Sequence, residues 1–295
     1  MSIRLKDRVI ILTGATSGMG KDMALSFAAK GAKLVLNGRS EAKAQRVMEE
    51  LAPYQERIAW HIGDISEYET NGALVDLALE RFGSLDTIVC NAGTLGIGSV
   101  TELSQETWQN TLNSNVSALF YLSKCAIPHM QKHGAGVILA NASIAAFKAF
   151  PKHPAYCASK AAQVALVRQL ASEYGPNIRA NALCPGPVDT PMIWDSAKAF
   201  EGGEKAVEEA REATALKRLG QPKDISELAL FLISNESSWM TGSLVTIDGG
   251  ISHYVFLGIV SFWWSDFYTC RLGFEARRQL LYSLCNNCVT ETDKS

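Results

Sequence analysis

The chain has almost no excess of charge of either sign, because 28 Lys and Arg residues against 30 Asp and Glu residues give a formal net charge of −2. Proteins that bind nucleic acid usually carry an excess of Lys and Arg, so no nucleic-acid partner is expected. The seven cysteines are an odd number scattered along 295 residues, which does not match a disulfide framework. The segment from Met1 to Asp7 lacks the apolar core of a signal peptide. We therefore predict a cytoplasmic protein.

The chain also lacks internal repeats and low-complexity tracts, and no linker rich in Pro, Gly or Ser precedes residue 251. A length of 295 residues would allow two domains. The missing linker and the hydrophobic fraction of 47% favour one large core instead. We predict a single domain over residues 1–252, followed by a C-terminal extension over residues 253–295.

The C-terminal extension contains an apolar run, Tyr254 to Trp264, that is shorter than the roughly 20 residues a bilayer span needs. Three alternatives stay open for it: packing on the domain or on a neighbouring subunit, contact with a membrane surface, and poor order. We favour packing against protein over membrane contact through Trp263 and Trp264. Cys285 and Cys288 form one isolated Cys-x-x-Cys pair, so no metal site is expected.

Short apolar runs alternate with helix-forming stretches along the predicted domain. This βαβ rhythm predicts an α/β fold, a single doubly wound, Rossmann-type domain whose parallel sheet has helices on both faces. The predicted strands are Val9–Leu12, Lys33–Leu36, Ile58–Ile62, Thr87–Cys90, Val137–Ala140, Ala180–Leu183 and Ser243–Ile247.

A glycine-rich turn follows the first predicted strand. Thr13 and Gly14 begin it, Gly18 and Gly20 complete a Gly-x-x-x-Gly-x-Gly spacing, and good helix formers fill residues 21–30. Glycines let a backbone approach a pyrophosphate, and a helix start supplies unpaired N–H groups. Taken alone the glycines fit a tight turn equally well, but between a buried strand and a helix they predict a dinucleotide site.

Tyr156 and Lys160 are four residues apart at the start of a stretch that predicts a helix, since residues 161–174 contain no Gly or Pro. A free phenol has a pKa near ~10, and a close positive charge lowers it. This spacing alone fits a surface Tyr and a solvated Lys, so its meaning depends on the other motifs.

In order and spacing, the motifs resemble the short-chain dehydrogenase/reductase family over about Lys6 to Ile251. The resemblance implies an NAD(P)-dependent enzyme that interconverts a secondary alcohol and a ketone and assembles as a homodimer or homotetramer. The matching motifs are Thr13-Gly14-x-x-x-Gly18-x-Gly20, Asn91-Ala92-Gly93, Asn115, Ser143, Tyr156-x-x-x-Lys160 and Pro185-Gly186.

Four residues are the expected catalytic set. Ser143 follows a predicted strand, at the sheet edge where such folds bind ligands, and the resemblance places its hydroxyl on the substrate oxygen. Tyr156 is then the general acid and base, while Lys160 lowers the pKa of Tyr156 and hydrogen-bonds the nicotinamide ribose. Asn115 holds a water of a proton relay in the family. Its mid-helix position is unfavourable for Asn, so a local kink or a cap is the alternative.

The resemblance also implies a set of cofactor-binding residues. The segment Asn91–Gly93 would lie beside the adenosine ribose, and Asp64 with Ile65 would contact the adenine. Val188 and Thr190 would fix the nicotinamide carboxamide. The full set is Thr13, Gly14, Ser17, Gly18, Met19, Gly20, Arg39, Ser40, Asp64, Ile65, Asn91, Ala92, Gly93, Tyr156, Lys160, Pro185, Gly186, Val188 and Thr190.

The end of the second predicted strand indicates which nicotinamide cofactor is bound. Residues 36–40 lack the carboxylate that marks NAD binding, and Arg39 offers a guanidinium suited to a 2′-phosphate, with the Ser40 hydroxyl beside it. Ser17 argues the other way, because many NADP-preferring relatives carry a basic residue there. We predict NADP(H) as the preferred cofactor, with NAD(H) as the alternative.

Residues of about 188–216 occupy the position of the family's substrate lid, and Gly202 with Gly203 would serve as its hinge. Apolar side chains there predict a pocket for an apolar or cyclic ketone, although core or subunit contacts would explain each of them equally well. His153 is given no role. The predicted pocket residues are Ser143, Phe150, Tyr156, Met192, Ile193 and Trp194.

Two other functions stay open. A 3-oxoacyl thioester reductase would use the same residues, but its phosphopantetheine carrier would want a basic patch at the pocket mouth. A catalytically silent dinucleotide-binding sensor or scaffold would be favoured by loss of the Tyr or the Lys, and Tyr156 and Lys160 are both present.

Overall fold

The computed structural model describes residues 4–200 and 202–252. The predicted C-terminal extension, residues 253–295, lies outside the described residues, and so do the packing, membrane and metal expectations attached to it. Within the described ranges, no helix combines the length and the apolar character that crossing a bilayer requires.

The sheet of the described domain is parallel, and helices pack on both of its faces. Its strands are β1 (Val9–Leu12), β2 (Lys33–Gly38), β3 (Ile58–Ile62), β4 (Thr87–Cys90), β5 (Gly136–Asn141), β6 (Ile178–Pro185) and β7 (Leu244–Ile247). They pair in the order β3-β2-β1-β4-β5-β6-β7. Every residue of β1, β4 and β5 is buried, as expected where helices cover both faces. The predicted doubly wound fold is confirmed.

Helices fall between the strands, as the alternation of apolar runs and helix-forming stretches predicts. They are α1 (Gly18–Ala29), α2 (Glu41–Glu50), α3 (Tyr68–Phe82), α4 (Gln105–Leu112), α5 (Ala118–His133), α6 (Pro154–Tyr174), α7 (Pro191–Ala197), α8 (Gly203–Ala213) and α9 (Pro222–Ile233). A π-helical turn, Asn113–Ser117, joins α4 to α5, and a short 3₁₀ turn, Ile144–Ala146, follows β5.

Two hydrophobic clusters stabilise the domain, one on each face of the sheet. Val9 and Ile11 of β1 belong to one cluster and Ile10 and Leu12 to the other, because successive strand residues point to opposite faces. The first cluster contains the buried faces of α3, α5 and α6, and the second contains those of α1, α2 and α9.

Strand order determines where a ligand binds. β1 pairs with β2 on one side and β4 on the other, so the chain reverses its direction of winding between β1 and β4. In open α/β sheets the ligand crevice lies at the carboxyl ends of the strands at such a point. The glycine-rich turn follows β1 and the segment Asn91–Gly93 follows β4, so both meet in this crevice.

The packing of α3 on the first cluster makes a stability prediction. Leu74 is 0% exposed whereas Leu216 is 64% exposed. Leu74→Ala leaves a cavity in the core and should lower the free energy of unfolding by about 2–5 kcal/mol. Leu216→Ala, the matched surface control, should change it by no more than about 0.5 kcal/mol. Denaturant titration of both variants measures the difference, and equal losses would contradict this account of the core.

Candidate active site

The glycine-rich turn after β1 forms a cradle whose backbone requires glycine at three positions. Gly14 and Gly18 have φ of +66° and +51°, in the left-handed region. A Cβ on Gly20 would lie 2.1 Å from the Gly14 carbonyl oxygen and 2.5 Å from Asn91 Nδ2. Helix α1 begins at Gly18, and among the described residues the Ser17 side chain makes no capping hydrogen bond to it. The first N–H groups of α1 are therefore available to a phosphate, and the cradle fits a dinucleotide.

Thr13 and Asn91 hold this cradle against the end of β4. Thr13 Oγ1 accepts from the backbone N–H groups of Asn91 and Ala92, each at 3.0 Å. Asn91 Nδ2 donates to the carbonyl oxygens of Thr13 at 3.0 Å and Gly14 at 3.2 Å. Asn91 Oδ1 accepts from Asn141 Nδ2 at 2.8 Å. Thr13 and Asn91 thus shape the crevice.

A cavity of about 200 Å³ lies over the cradle. It brings together most of the predicted cofactor residues, namely Gly14, Ser17, Gly18, Met19, Gly20, Arg39, Asp64, Ile65, Asn91, Ala92, Gly93 and Thr190. Other predicted residues lie elsewhere. Thr13 is buried beneath the turn, and Ser40 caps α2 by accepting from the Lys43 N–H at 3.4 Å. Pro185, Gly186 and Val188 line a second, adjoining cavity.

Arg39 and Asp64, which follow β2 and β3, face each other at the edge of this cavity. The guanidinium of Arg39 lies 3.8 Å from Asp64 Oδ2 and is 75% exposed. Burial acts to raise the pKa of Asp64, but hydrogen bonds from the Ser66 N–H and hydroxyl, together with the charge of Arg39, outweigh it and lower the pKa. An ionised carboxylate therefore steadies the guanidinium while leaving most of it open to a ligand.

Tyr156 and Lys160 lie on successive turns of α6, as the sequence predicts, and Lys160 Nζ is 5.5 Å from the centroid of the Tyr156 ring. Ser143 follows β5, its Oγ accepts from the Ala145 N–H at 3.1 Å, and it also hydrogen-bonds Tyr156. The two hydroxyls that would meet a substrate oxygen are therefore adjacent.

Burial dominates the protonation of this pair. It raises the pKa of Tyr156 to about 12, against the opposing effect of the hydrogen bond with Ser143. It lowers the pKa of Lys160 to about 7. The net shift of the Tyr156 pKa is therefore upward, opposite to the direction expected from the charge of Lys160, because loss of water penalises both charged forms.

Asn115 lies in the π-helical turn, so the predicted local kink is present there. Its side chain is fully engaged within the fold. Oδ1 accepts from the Thr94 N–H at 2.8 Å, and Nδ2 donates to the Thr94 carbonyl at 2.9 Å and to Ser159 Oγ at 2.8 Å. The Asn115 backbone carbonyl accepts from Gln163 Nε2 at 2.7 Å. The side chain of Asn115 thus shapes the turn, while its backbone carbonyl binds a side chain of α6.

A second cavity, of about 360 Å³, lies beside the first and fits a substrate. Most of its lining is apolar and comes from β6, α7, α8 and the start of α6. It contains the predicted residues Ser143, Phe150, Tyr156, Met192 and Ile193.

Trp194 is a correction to the predicted pocket. It is 44% exposed, and its indole Nε1 donates to Asp189 Oδ1 at 3.0 Å. On the seven-residue helix α7, Met192, Ile193 and Ser196 line the cavity, whereas Trp194 does not. The sequence shows the apolar character of this residue but not the direction in which it points from the helix.

His153 is a pocket residue that the sequence did not assign. Its Nδ1 lies 2.7 Å from the Pro151 carbonyl, which can only accept, so Nδ1 carries the proton. Its Nε2 lies 2.9 Å from Ser196 Oγ on α7, and its ring stacks on Phe200 at 6.1 Å between centroids. His153 therefore fastens the lid to the start of the helix that carries Tyr156. One signal was available, since His153 lies one helical turn before Tyr156.

Known proteins agree with this geometry. A family model described as enoyl-(acyl carrier protein) reductase matches residues 14–252. The chain belongs to the short-chain dehydrogenase/reductase family. It is 36% identical over 249 residues to an uncharacterized oxidoreductase of Thermotoga maritima, covering 84% of this chain and 98% of that protein. It is 34% identical over 250 residues to the 7alpha-hydroxysteroid dehydrogenase of Escherichia coli, covering 84% and 96%. The crystal structure of levodione reductase superposes with a TM-score of 0.82 at 30% identity, covering 85% of this chain and 100% of the other.

Membership in this family makes the chain an oxidoreductase that acts on alcohol and ketone groups with a nicotinamide cofactor. The motifs occur in this chain in the order typical of the family. One edge of the sheet carries the glycine-rich cradle, the side chains of Ser143 and Tyr156, and the adjoining apolar cavity. The finer assignments, cofactor preference and substrate, rest on the residues of the two cavities.

The cradle generates a prediction with a matched control. A Cβ at Gly20 collides with the Gly14 carbonyl, whereas one at Gly72, in α3, meets nothing within 4 Å. Gly20→Ala should lower NADPH affinity by at least about tenfold, because the turn must shift away from the pyrophosphate. Gly72→Ala should leave NADPH affinity unchanged. Titration of NADPH fluorescence compares the two, and wild-type affinity in Gly20→Ala would show that this turn does not hold the cofactor.

Proposed function

We propose that the protein is an NADP(H)-dependent oxidoreductase that interconverts a neutral cyclic ketone and its secondary alcohol. The observation that carries the proposal is the junction of the two cavities. Met19, Thr190 and Met192 line both of them, and the Ser143 and Tyr156 hydroxyls line the apolar one. A ketone there lies beside the crevice that fits the dinucleotide and within reach of both hydroxyls.

The residues of the site have distinct roles in this reaction. The nicotinamide, when bound, supplies or takes the hydride. The Tyr156 hydroxyl gives its proton to the carbonyl oxygen during reduction and takes one from the alcohol during oxidation. The Ser143 hydroxyl donates a hydrogen bond to the same oxygen, and the Lys160 ammonium favours the phenolate that Tyr156 becomes. Lys160 is only 4% exposed, so little water reaches its ammonium, while Tyr156 is half-buried and faces the cavity.

Charge at the pocket mouth favours a neutral ketone over a carrier-bound thioester. Helix α8, which contributes Val207 and Glu209 to the cavity lining, carries four Glu residues against Lys205 and Arg211. Glu209 pairs with Lys205 at 3.7 Å and Arg211 pairs with Glu208 and Glu212, so the acidic residues stay in excess. An anionic phosphopantetheine carrier needs the opposite sign of charge. The apolar lining and the likeness to a hydroxysteroid dehydrogenase and to levodione reductase support a cyclic ketone.

NADP(H) is favoured by the residues at the adenosine end. Arg39 follows β2 where an NAD-binding protein would carry a carboxylate, and its exposed guanidinium borders the cavity. Asp64 holds that guanidinium from one side and leaves its remaining N–H groups for a 2′-phosphate. A homodimer or homotetramer in the cytoplasm remains a prediction from the family resemblance and the cysteine pattern.

Tyr156→Phe tests the proposed chemistry, because it removes the proton donor and keeps the ring. With a panel of neutral cyclic ketones and NADPH absorbance as the assay, kcat should fall about 10²–10⁴-fold while NADPH affinity is retained. Tyr174→Phe, the same change at the far end of α6, should keep wild-type kcat.

The same panel separates the alternatives. A short 3-oxoacyl thioester should be reduced more slowly than the cyclic ketones by the wild-type protein. Faster reduction of the thioester would favour the acyl reductase, and NADPH binding without turnover of any substrate would favour the silent sensor. Full activity of Tyr156→Phe would remove the catalytic assignment.

Arg39→Asp tests the cofactor preference, because it replaces a phosphate partner with a carboxylate that repels phosphate and accepts from ribose hydroxyls. The loss of a charge-assisted hydrogen bond should weaken NADPH binding about 10- to 100-fold. The preference in kcat/KM should then move toward NADH. Arg46→Asp on α2 makes the same charge change away from the cavity and should preserve the preference. Equal use of NADPH and NADH by the wild-type protein would refute the role of Arg39.

A further inference from the structure

Gln163 joins two parts of the catalytic machinery from within the fold. It lies three residues after Lys160 on α6, and the two side chains are only 1% and 4% exposed. Gln163 Oε1 accepts from Lys160 Nζ at 2.9 Å. Gln163 Nε2 donates to the backbone carbonyl of Asn115, in the π-helical turn, at 2.7 Å. One side chain therefore bridges the ammonium and the turn.

The chemistry of the two partners fixes the orientation of the Gln163 amide. A lysine ammonium has three donors and no acceptor, and a backbone carbonyl can only accept. The Gln163 oxygen must therefore face Lys160 and its nitrogen must face Asn115, since the flipped amide would break both bonds. Only a side chain with an acceptor and a donor at one end can make this bridge.

The bridge leaves one hydrogen of Lys160 for the cofactor side. Lys160 Nζ donates to the Asn141 carbonyl at 2.8 Å and to Gln163 Oε1, which uses two of its three donors. The atom also lies 3.8 Å from the position a Cβ would take on Gly93, which lines the dinucleotide crevice. The two oxygen acceptors thus hold the ammonium, and its Nζ lies 5.5 Å from the centroid of the Tyr156 ring.

The acceptors matter because the ammonium is buried. Burial lowers the pKa of Lys160 to about 7, and hydrogen bonds to the charged form act in the opposite direction. The titratable groups that face Lys160 are Tyr156 on α6 and Cys184 on β6. Burial raises the pKa of both, to about 12 and about 11, while the charge interaction with Cys184 acts to raise the pKa of Lys160. The oxygen acceptors of Gln163 and Asn141 likewise favour the charged form of Lys160 and oppose the effect of burial.

We infer that Gln163 is a positioning residue for the proposed reaction, which holds Lys160 charged and aimed at Tyr156 and the cofactor by anchoring it to the π-helical turn. The inference rests on the proposed function for its effect on turnover. Asn115 then acts through its backbone carbonyl, which orients Gln163. The proposal also explains why an amide, in place of an apolar side chain, is buried at this point of α6.

Gln163→Met tests this inference, because it keeps the length of the side chain and removes both hydrogen bonds. The expected result is a fall in kcat of at least about tenfold on the best ketone of the panel. Gln169→Met is the matched control, since Gln169 lies on the outer face of the same helix and bonds only an exposed Glu173 in the described contacts. It should keep wild-type kcat.

A double-mutant cycle separates positioning from general loss of structure. If Gln163 acts through Lys160, adding Gln163→Met to Lys160→Met should lower kcat no further. A full additional loss in the Lys160→Met background would mean that Gln163 supports the fold only, and would overturn the inference. Thermal unfolding of each variant shows that the compared proteins are folded.

A readout without turnover keeps the inference testable if the proposed function fails. The ammonium is a stronger donor to the cofactor ribose than the neutral amine, so part of the NADPH affinity should be lost as pH rises through the pKa of Lys160. Gln163→Met removes an acceptor, so this step should move to lower pH. Gln163→Glu places a carboxylate there, so the step should move to higher pH.

Fluorescence titration of NADPH against pH measures the step in the wild-type protein and the three single Gln variants. Opposite shifts in Gln163→Met and Gln163→Glu, with none in Gln169→Met, support the inference whether or not a substrate is turned over. Coincident profiles in all four proteins would overturn it. An active wild-type enzyme with coincident profiles would leave the proposed function standing and remove only the role of Gln163.

Discussion

One continuous path of hydrogen bonds crosses the carboxyl edge of the sheet, and both cavities are built on it. It begins at the glycine-rich turn, whose carbonyls accept from Asn91, and passes through Asn141 to Lys160. From Lys160 it continues through Gln163 to the π-helical turn at Asn115. Buried polar groups must keep their partners, so moving one of these side chains would leave its neighbour unsatisfied. The path therefore fixes the cofactor cradle and the proton-transfer residues relative to each other.

The two sides of the site solve opposite physical problems. On one side, α6 carries the polar groups of Tyr156 and Lys160, whose charged forms prefer water. Burial therefore raises the pKa of Tyr156 and lowers that of Lys160. Neutral hydrogen-bond partners offset part of this cost without adding a counter-charge that would oppose the phenolate. The lid side is apolar and is fastened through the contact of His153 with Ser196. Polar groups are thus concentrated around Tyr156 and Lys160, while the adjoining cavity is mostly apolar, as the proposed reaction of a neutral ketone requires.

Much of the fold and part of the site follow from local sequence. The alternation of apolar runs and helix formers predicted the doubly wound sheet, because side-chain periodicity is a local property. The glycine-rich turn, Tyr156 and Lys160 were also recognisable, since each motif is short and its chemistry needs particular residue types. Trp194 was placed wrongly, because a helix of seven residues is too short for its periodic pattern to indicate a direction.

By itself the sequence determined the fold class and the position of the glycine-rich turn, and it supplied the candidate residues for proton transfer. The tertiary structure alone decided how those residues are charged and held. The pKa directions of Tyr156 and Lys160 depend on burial, which arises only when α6 packs against the sheet. The roles of His153 and Gln163 depend on partners 43 and 48 residues away along the chain. Such contacts form between elements that the fold brings together, so no local pattern records them.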